Sequence, residues 1–469
     1  MKKNRPTFPA LFAVIIIALS ILFYQTARYI GAFDAGDSFA YAELGEYLLN
    51  NRFINVRPAN DYLPQTLFAP VYAIFITPLL SLTPPLGSYM LPFLQLMLVL
   101  AGAVILYPVI QKLFSPTSAL LGTILYIFFP FNIIHATFIM SETLTTLLVV
   151  FYVFTLYFWT KKAVWATTGL LVFTAAILVL TRYAFVPWFI LTFGVYLWDL
   201  KKKPAYHHIF GIFGIIMIAS WMLFNYRIFG YWTLSTVSGR HLFNNVVSTG
   251  HLVPPRDNPK TSYFYSHMPL AQYPLAMFAP WWDVQSMIKD GSLTERQLDR
   301  VFMDTALAAL FAHPFQYVVH VINMTVITPI TAPKFMTHNI DHVSTCDSVA
   351  CRVKWNSYLC QPAVLSCKAN AAFIGFTHLN QSFYPLGATL FFALALIGIV
   401  SAVRSKQFFW IWIAILFVIQ HTFQSATEWL ESRFLIPLYP LYILLILMGI
   451  RTCLSFLQRT RTYTKSPMI

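Results

Sequence analysis

Leu86-Gly-Ser-Tyr-Met-Leu-Pro-Phe-Leu-Gln-Leu-Met-Leu-Val-Leu-Ala-Gly-Ala-Val-Ile-Leu-Tyr-Pro-Val-Ile-Gln111 runs without a charged residue. As a helix it would extend roughly 39 Å, at about 1.5 Å per residue, whereas the hydrocarbon core of a bilayer is about 30 Å thick. Similar stretches recur to the end of the chain, which is 58% hydrophobic and only 10% charged. Barrel strands would show short alternating segments instead. The sequence therefore predicts an all-α polytopic membrane protein.

Ten spans are predicted from these stretches. Region 294–331 has two interpretations, because the loops before and after it are predicted to lie on the same side of the membrane. Either Glu295–Ala312 and Phe315–Ile330 are both spans, or the first is a surface helix and the second is re-entrant, so the bundle has ten or twelve spans. The ten spans are residues 8–27, 86–111, 117–134, 141–160, 164–181, 184–199, 208–229, 384–403, 407–424 and 434–450.

Short basic connectors decide the predicted topology. Lys112, Lys161 and Arg404 lie on the same side as the basic N-terminal residues and the basic tail 451–469, and the positive-inside rule makes that side cytoplasmic. The first span lacks a clean cleavage site, so it is retained and both termini are inside. This arrangement accounts for the whole formal charge of +14 and leaves all acidic residues but Asp199 outside. Membrane lipid, and no nucleic acid, is the expected partner of the basic face.

Residues 1–450 are predicted to form a single transmembrane domain with three long extracytoplasmic regions, 28–85, 230–313 and 333–383. Long loops usually carry function. Within the first region, Leu67–Pro78 is too short and too rich in proline to span, and is predicted to be a helix in the membrane interface.

The third outer region contains four of the five cysteines, which indicates two disulfides in an oxidising compartment. Three pairings are open, and the sequential one closes the shortest loops. A four-thiolate zinc site is the alternative, but the spacings lack the usual C-x-x-C pairs. The four cysteines are Cys346, Cys351, Cys360 and Cys367.

A pair of carboxylates, Asp34 and Asp37, follows the first span. From Asp37 onward the sequence predicts a helix in which Tyr41, Leu44 and Leu48 share one face. An aspartate at this place can be a helix N-cap, although a cap does not need two carboxylates. The alternative is a catalytic carboxylate held at the membrane surface.

Arginines near the outer ends of the spans form a second set of candidates. Guanidinium groups match phosphate oxygens and keep their charge, as a lipid-phosphate site requires. Snorkelling, or pairing with acids such as Glu142 at the entrance of a span, is the structural alternative. Glu142 itself is either favoured by the helix dipole or orients a substrate or an arginine. The arginines are Arg57, Arg182, Arg227, Arg240 and Arg433.

ATP-driven and common hydrolytic mechanisms lack support, because the chain contains no H-E-x-x-H, P-loop, G-x-S-x-G or dinucleotide motif. A polytopic transporter or lipid flippase is the alternative to a membrane enzyme. Transporters show inverted repeats and ionisable groups near the membrane midplane. No repeat is visible here, and the ionisable residues gather at the ends of the spans, which favours chemistry at the surface.

With these residues in view, the chain resembles the GT-C membrane glycosyltransferases that take sugar from a polyprenyl-phosphate carrier, notably the protein O-mannosyltransferases and the aminoarabinose lipid A transferases. The matching points occur in order along most of the chain. They are Gly36-Asp37-Ser-Phe-Ala-Tyr41, the segment from Pro64 to Pro78, Ser141-Glu142, Leu180-Thr-Arg182, Trp221-Met-Leu-Phe-Asn225-Tyr-Arg227 with Ser238-Gly239 following, and Glu431-Ser-Arg433-Phe-Leu-Ile-Pro437.

The resemblance implies that Asp37, assisted by Asp34, acts as the base in an inverting attack on the anomeric carbon of a polyprenyl-phosphate-linked sugar. It places Arg182, with Arg57, Arg227 or Arg433, on the donor phosphate, and gives Tyr41, Glu142 and Arg240 orienting roles. No cofactor is required, and a divalent metal bridging the two aspartates is the alternative, although two carboxylates make a thin site.

The same resemblance implies a bacterial inner-membrane enzyme whose site faces the exterior. The acceptor is a glycolipid such as lipid A, a polysaccharide or a protein. Where the protein mannosyltransferases have an Asp-Glu pair, this chain has Asp37-Ser38, which argues against a protein acceptor.

Overall fold

A computed structural model of the chain describes residues 13, 17, 18, 41, 44, 45, 47, 48, 69–80, 82, 84–128, 132–136, 139–161, 167–200, 209–230, 232–267, 295–330, 386–427 and 432–463. The α-helices of these residues are α1 (Pro70–Leu80), α2 (Pro84–Leu113), α3 (Pro116–Phe128), α4 (Asn132–His135), α5 (Glu142–Lys161), α6 (Thr167–Thr181), α7 (Val186–Leu200), α8 (Ile209–Phe229), α9 (Ser238–Phe243), α10 (Pro259–His267), α11 (Glu295–Ala312), α12 (Pro314–Ile327), α13 (Leu386–Arg404), α14 (Phe408–Thr427) and α15 (Tyr439–Tyr463).

The described helices confirm the all-α polytopic prediction, and the chain is an integral membrane protein. Six helices are long and apolar enough to cross a membrane, and all six overlap predicted spans. They are Met90–Leu113, Glu142–Lys161, Ile209–Phe229, Leu386–Arg404, Phe408–Thr427 and Leu435–Gln458. The first predicted span, 8–27, lies almost entirely outside the described residues.

Three further predicted spans correspond to shorter apolar helices, Pro116–Phe128, Thr167–Thr181 and Tyr183–Trp198. The prediction for residues 117–134 was wrong in its end, because α3 stops at Phe128 and the short helix α4 follows. Pro130 explains the break, since proline has no backbone N–H and disfavours helical geometry in the residue before it.

Helix α5 is the centre of the bundle and packs against α2, α6, α14 and α15. Several of its apolar side chains, among them Val149 and Val153, are fully buried. Two hydroxyl groups near its start donate to backbone carbonyls one turn earlier, Thr145 to that of Ser141 and Thr146 to that of Glu142, each at 2.7 Å. These two buried hydroxyl groups therefore have hydrogen-bond partners without contacting lipid.

The helix predicted from Asp37 onward is confirmed where it is described. Residues 41, 44, 45, 47 and 48 are helical, and Tyr41, Leu44 and Leu48 are 5%, 1% and 4% exposed, so the predicted face is the buried one. This face packs against Ala73 and Ile76 of α1 and neighbouring residues of α2, α6 and α8. The segment Leu67–Pro78 is also helical from Pro70, and α1 contacts α2 and α6.

The second outer region folds around a core of its own, here called the outer unit, which comprises α9, the π-helix Asn244–Thr249, α10 and α11. Phe243, Phe264 and Phe302 lie at its centre, with the rings of Phe243 and Phe302 at 5.0 Å. A carboxylate joins two of its helices, because Asp299 Oδ1 of α11 accepts hydrogen bonds from the backbone N–H groups of Gly239 (2.8 Å) and Arg240 (3.2 Å) in α9.

A sharp bend between α11 and α12 bears on the two interpretations of region 294–331. Helices α11 and α12 meet at 101°, with Pro314 at the start of α12, so the region is not one straight span. Glu295, Asp299 and Asp304 occur on α11, and its apolar face is buried in the outer unit, which favours the surface interpretation for this helix. Helix α12 packs against α14, and several of its apolar side chains, such as Phe315 and Ile322, are exposed.

Two glycines bring α13 and α15 into close contact. A Cβ atom at Gly398 would overlap the carbonyl oxygen of Leu445, and one at Gly449 would overlap the carbonyl oxygen of Leu394. Beside them, the hydroxyl groups of Ser401 and Thr452 are 2.9 Å apart. Lipid tails compete with apolar side chains for such surfaces, so backbone approach through small residues is what holds helices together in a membrane.

The substitution Gly398→Ala is expected to destabilise the protein by about 1–3 kcal/mol, because the methyl group forces α13 and α15 apart. The measurement is the apparent unfolding temperature of the detergent-solubilised protein. Gly194→Ala is the matched control, since a Cβ atom at that exposed position of α7 meets nothing within 4 Å. Equal unfolding temperatures for the two variants would contradict the close contact.

Candidate functional site

A buried ion pair lies at the N-terminal end of α5. Arg182 Nη1 donates to Glu142 Oε1 at 3.0 Å, and the two side chains are 11% and 3% exposed. Glu142 opens α5, where the helix dipole favours a carboxylate. Arg182 follows α6 in an extended conformation, and its N–H still bonds the carbonyl of Leu178. The structure therefore shows the pairing of an arginine with Glu142 that the sequence analysis gave as the structural alternative to a phosphate site.

Tyr41 joins the segment 41–48 to this pair. Its hydroxyl donates to Ser141 Oγ at 2.8 Å, next to Glu142 in the chain. Its ring lies edge-on to Tyr72, with centroids 4.8 Å apart, and the Tyr72 hydroxyl donates to Gln95 Oε1 at 2.9 Å. The predicted orienting residue Tyr41 is thus fixed by buried hydrogen bonds at the same place as Glu142 and Arg182.

A second set of hydrogen bonds holds Tyr183, the residue after Arg182, in place. Trp221 Nε1 of α8 donates both to the hydroxyl of Tyr183 (2.9 Å) and to the carbonyl of Leu234 (3.0 Å). Asn225 Nδ2 donates to the carbonyls of Thr233 and Leu234 at 2.8 and 3.0 Å. Trp221 and Asn225 therefore hold the chain after α8 against the turn that carries Arg182.

The predicted arginines differ in their surroundings. Arg240 is 2% exposed in α9 and lies beside Asp299. Gly239 allows this contact, since a Cβ atom there would overlap the backbone of Asp299. Arg227, in the last turn of α8, is exposed. The backbone at Arg433 is part of the 3₁₀-helix Ser432–Leu438, which packs against α5.

Several predicted site residues lie outside the part of the chain that the structure describes. Their roles, the two disulfides and a metal bridging the aspartates stay predictions. In the described part, no group of three or more His, Cys, Asp or Glu side chains could hold a metal ion. The residues outside it are Asp34, Asp37, Arg57, Cys346, Cys351, Cys360 and Cys367.

Sequence reasoning missed a polar cluster near the C-terminal end of α14, formed by Gln420, His421 and Gln424, which are 0%, 2% and 0% exposed. Gln420 Nε2 donates to the carbonyl of Ala184 at 2.7 Å, so the cluster adjoins the turn after Arg182. The available signal was the spacing itself, because polar residues at i, i+1 and i+4 interrupt an otherwise apolar span.

Comparisons with known proteins give similarity to solved structures alone. No protein-family model matches the chain, and no curated protein matches its sequence significantly. Among solved structures, the chain is similar to ArnT from Cupriavidus metallidurans in the apo state, with a TM-score of 0.37 and 13% sequence identity, covering 94% of this chain and 77% of that one. At this TM-score and identity, the likeness assigns no role to any site residue.

Burial raises the pKa of Asp299 to about 6, and the Arg240 N–H and charge oppose this rise. The folded protein then binds this proton more tightly than the unfolded chain does. The stabilisation that results is complete below about pH 4 and is lost as the pH rises through 6.

Asp299→Asn keeps an oxygen that can accept the N–H groups of Gly239 and Arg240 and removes the cost of burying a charge. Its unfolding temperature relative to the wild type should therefore increase between pH 4 and pH 7, by the equivalent of at most about 3 kcal/mol. Asp304→Asn is the control, because the side chain of its partner Arg300 is 79% exposed and such pairs contribute little. A difference that does not change with pH would contradict the raised pKa.

Proposed function

We propose that this chain is an integral-membrane glycosyltransferase that moves a sugar from a polyprenyl-phosphate carrier to an acceptor on the extracytoplasmic face. The observation that carries the proposal is the buried Glu142–Arg182 pair beside Tyr41. Asp37 precedes Tyr41 by four residues, and four residues span at most about 14 Å. Chain length alone therefore keeps the Cα atom of the candidate base within about 14 Å of that of Tyr41, which hydrogen-bonds the residue before Glu142.

The position of the pair along α5 supports an extracytoplasmic site. Lys161 ends α5, and Lys112 lies in the last turn of α2, where the positive-inside rule predicts cytoplasm. Glu142 begins α5, and a helix of this length extends roughly 30 Å, about the thickness of the hydrocarbon core. The ion pair is thus expected at the opposite membrane surface, where the headgroup of a lipid-linked donor lies.

Arg182 is the proposed phosphate-binding residue. A guanidinium group carries five N–H donors, more than one carboxylate can accept, so Arg182 can contact a phosphate oxygen while Glu142 holds it in place. Its charge does not depend on pH in the physiological range. Since the pair is buried, water competes weakly with the phosphate, and the charge that develops on the leaving group is stabilised strongly.

The proposed reaction is a single displacement with inversion. The acceptor's nucleophilic group attacks the anomeric carbon, its proton passes to Asp37, and the bond between that carbon and the phosphate oxygen breaks. Polyprenyl phosphate departs with the bonding electrons. Because this leaving group is a weak base, one carboxylate suffices, whereas a glycosidase uses two.

The test of the base uses purified protein in detergent and a polyprenyl-phosphate donor with a labelled sugar. Asp37→Asn should lower turnover by about 10²-fold or more, as loss of a general base does. Asp257→Asn, on an exposed carboxylate of the outer unit, is the control and should retain activity. Transfer at the wild-type rate by the Asp37 variant would remove Asp37 as the base, and no transfer by the wild type would refute the proposed function.

The phosphate clamp is the Glu142–Arg182 pair, and its test has to separate donor binding from folding. Arg182→Ala alone leaves Glu142 buried and unpaired at a cost of several kcal/mol. The double variant Glu142→Gln with Arg182→Gln removes both charges together. We expect it to fold and to lose about 10²-fold in kcat/KM for the donor. A folded double variant with unchanged kcat/KM would show that the pair is only structural.

A further inference from the structure

The amide of Gln424 is buried and makes no hydrogen bond to the residues that the structure describes. In the part of the chain that the structure describes, neither Nε2 nor Oε1 of Gln424 makes a hydrogen bond, although the residue is 0% exposed. Leaving a buried donor or acceptor without a hydrogen bond costs free energy. Gln424 therefore carries both a donor and an acceptor that can bind a further group.

Each of the two polar neighbours of Gln424 on α14 also has a side-chain atom that makes no hydrogen bond among the described residues. Gln420 and His421 lie four and three residues before it, which places them next to it on one face of the helix. Gln420 uses Nε2 on the carbonyl of Ala184, and its Oε1 has no hydrogen bond within the described residues. His421 Nε2 lies 2.8 Å from the carbonyl oxygen of Thr325. Because a carbonyl only accepts, Nε2 carries the hydrogen, and Nδ1 of the neutral ring is an acceptor that is likewise unsatisfied there.

The backbone around this cluster is also unusual. The π-helix Asn244–Thr249 adjoins it, since Asn245 Nδ2 donates to the carbonyl of Ser425 at 3.0 Å. Such π-helical turns are rare and occur frequently at functional sites. The polar cluster therefore lies near the C-terminal end of α14, next to an irregular turn of the outer unit.

The cluster lies beside the proposed phosphate clamp. Gln420 contacts Ala184, and Ala184 follows Arg182 by two residues, a separation of at most about 7 Å along the chain. Gln424 lies about 6 Å from Gln420 along the helix axis. In a glycosyl phosphate the sugar is bonded directly to the phosphate, so the sugar of a donor held at Arg182 lies next to this phosphate, and the turn after Arg182 is the one that Gln420 contacts.

We propose that Gln424, together with Gln420 and His421, forms the sugar subsite of the donor and selects a neutral, hydroxyl-bearing sugar. A hydroxyl group both donates and accepts, and an amide with both capacities matches it. An amino sugar carries an ammonium group, which is bound best by a carboxylate. The inference rests on the proposed function and adds the class of sugar to it.

Helix α12 covers this face of α14, so the subsite opens when α12 moves. Two side chains join the helices here: Tyr317 donates to the carbonyl of Ala426, and His421 to that of Thr325. Helix α12 meets α11 at 101° and has no fully buried side chain. Little packing therefore opposes its displacement by an entering sugar.

The experiment compares wild type, Gln424→Leu and Gln424→Glu with polyprenyl phosphate bearing glucose, the same carrier bearing an amino-pentose, and the sugar-free carrier phosphate as inhibitor. Gln424→Leu should lower kcat/KM for the glucose donor about tenfold or more, because a sugar hydroxyl loses its partner. Inhibition by the sugar-free carrier should not change, since it contacts only the phosphate clamp. Gln424→Glu should shift the kcat/KM ratio toward the amino-pentose donor by about tenfold.

Gln111→Leu is the matched control, because Gln111 is an exposed glutamine in the last turns of α2, sixteen residues beyond Gln95 of the site. A structural glutamine at position 424 would alter the unfolding temperature and leave the donor preference unchanged, which would overturn the subsite. So would an equal loss for glucose donor and sugar-free carrier, or a wild-type preference for the amino-pentose donor.

The same experiment distinguishes failure of the proposed function from failure of the sugar subsite. A wild type that neither turns over these donors nor gains thermal stability from them would overturn both proposals. Transfer that depends on Arg182 but not on Gln424 would overturn the subsite alone.

Discussion

The buried contact between Glu142 and Arg182 sets the geometry of the helices that meet at the N-terminal end of α5. Taking two charges out of water costs several kcal/mol each, and the mutual attraction offsets that cost only when the distance is short and the groups are held in place. The 3.0 Å contact therefore requires α5, α6 and the turn after α6 to keep a fixed arrangement. Hydrogen bonds from Tyr41 and Trp221 on either side supply that fixation.

Two kinds of contact hold the helices together in a lipid environment. In lipid, apolar side chains gain little by contacting one another, so specific packing depends on small residues and on internal hydrogen bonds. Gly398 and Gly449 provide the first for α13 and α15. Trp188 provides the second, as its indole N–H donates to the carbonyl of Leu416 at 3.1 Å and joins α7 to α14. Exposed apolar side chains on α8 and α13 are then free to face lipid.

The sequence was a good guide to features that depend on a single element. Hydropathy located the spans, and the spacing of Tyr41, Leu44 and Leu48 predicted the buried face of their helix. It was a poor guide to features that depend on two elements. Gly398 is visible as a glycine in a span, but its role exists only because Leu445 lies opposite. Gln424 is visible as a glutamine, but only the folded bundle shows that its amide makes no hydrogen bond among the described residues. Pro130 favours an earlier end for α3, whereas the continuous hydropathy of residues 117–134 favours one long span.

The charged and neutral parts of the proposed donor site suit different tasks. A guanidinium on a phosphate contributes similar binding energy for every polyprenyl-phosphate sugar, because all of them share that group. Discrimination has to come from the part that differs, and buried amides are effective there, since a sugar that fails to pair with them leaves donors and acceptors unsatisfied. Placing Arg182 at the end of α6 and Gln424 on α14 separates the two tasks on different helices. The sugar preference of such a site can change through α14 while the ion pair, and the fold that depends on it, stays the same.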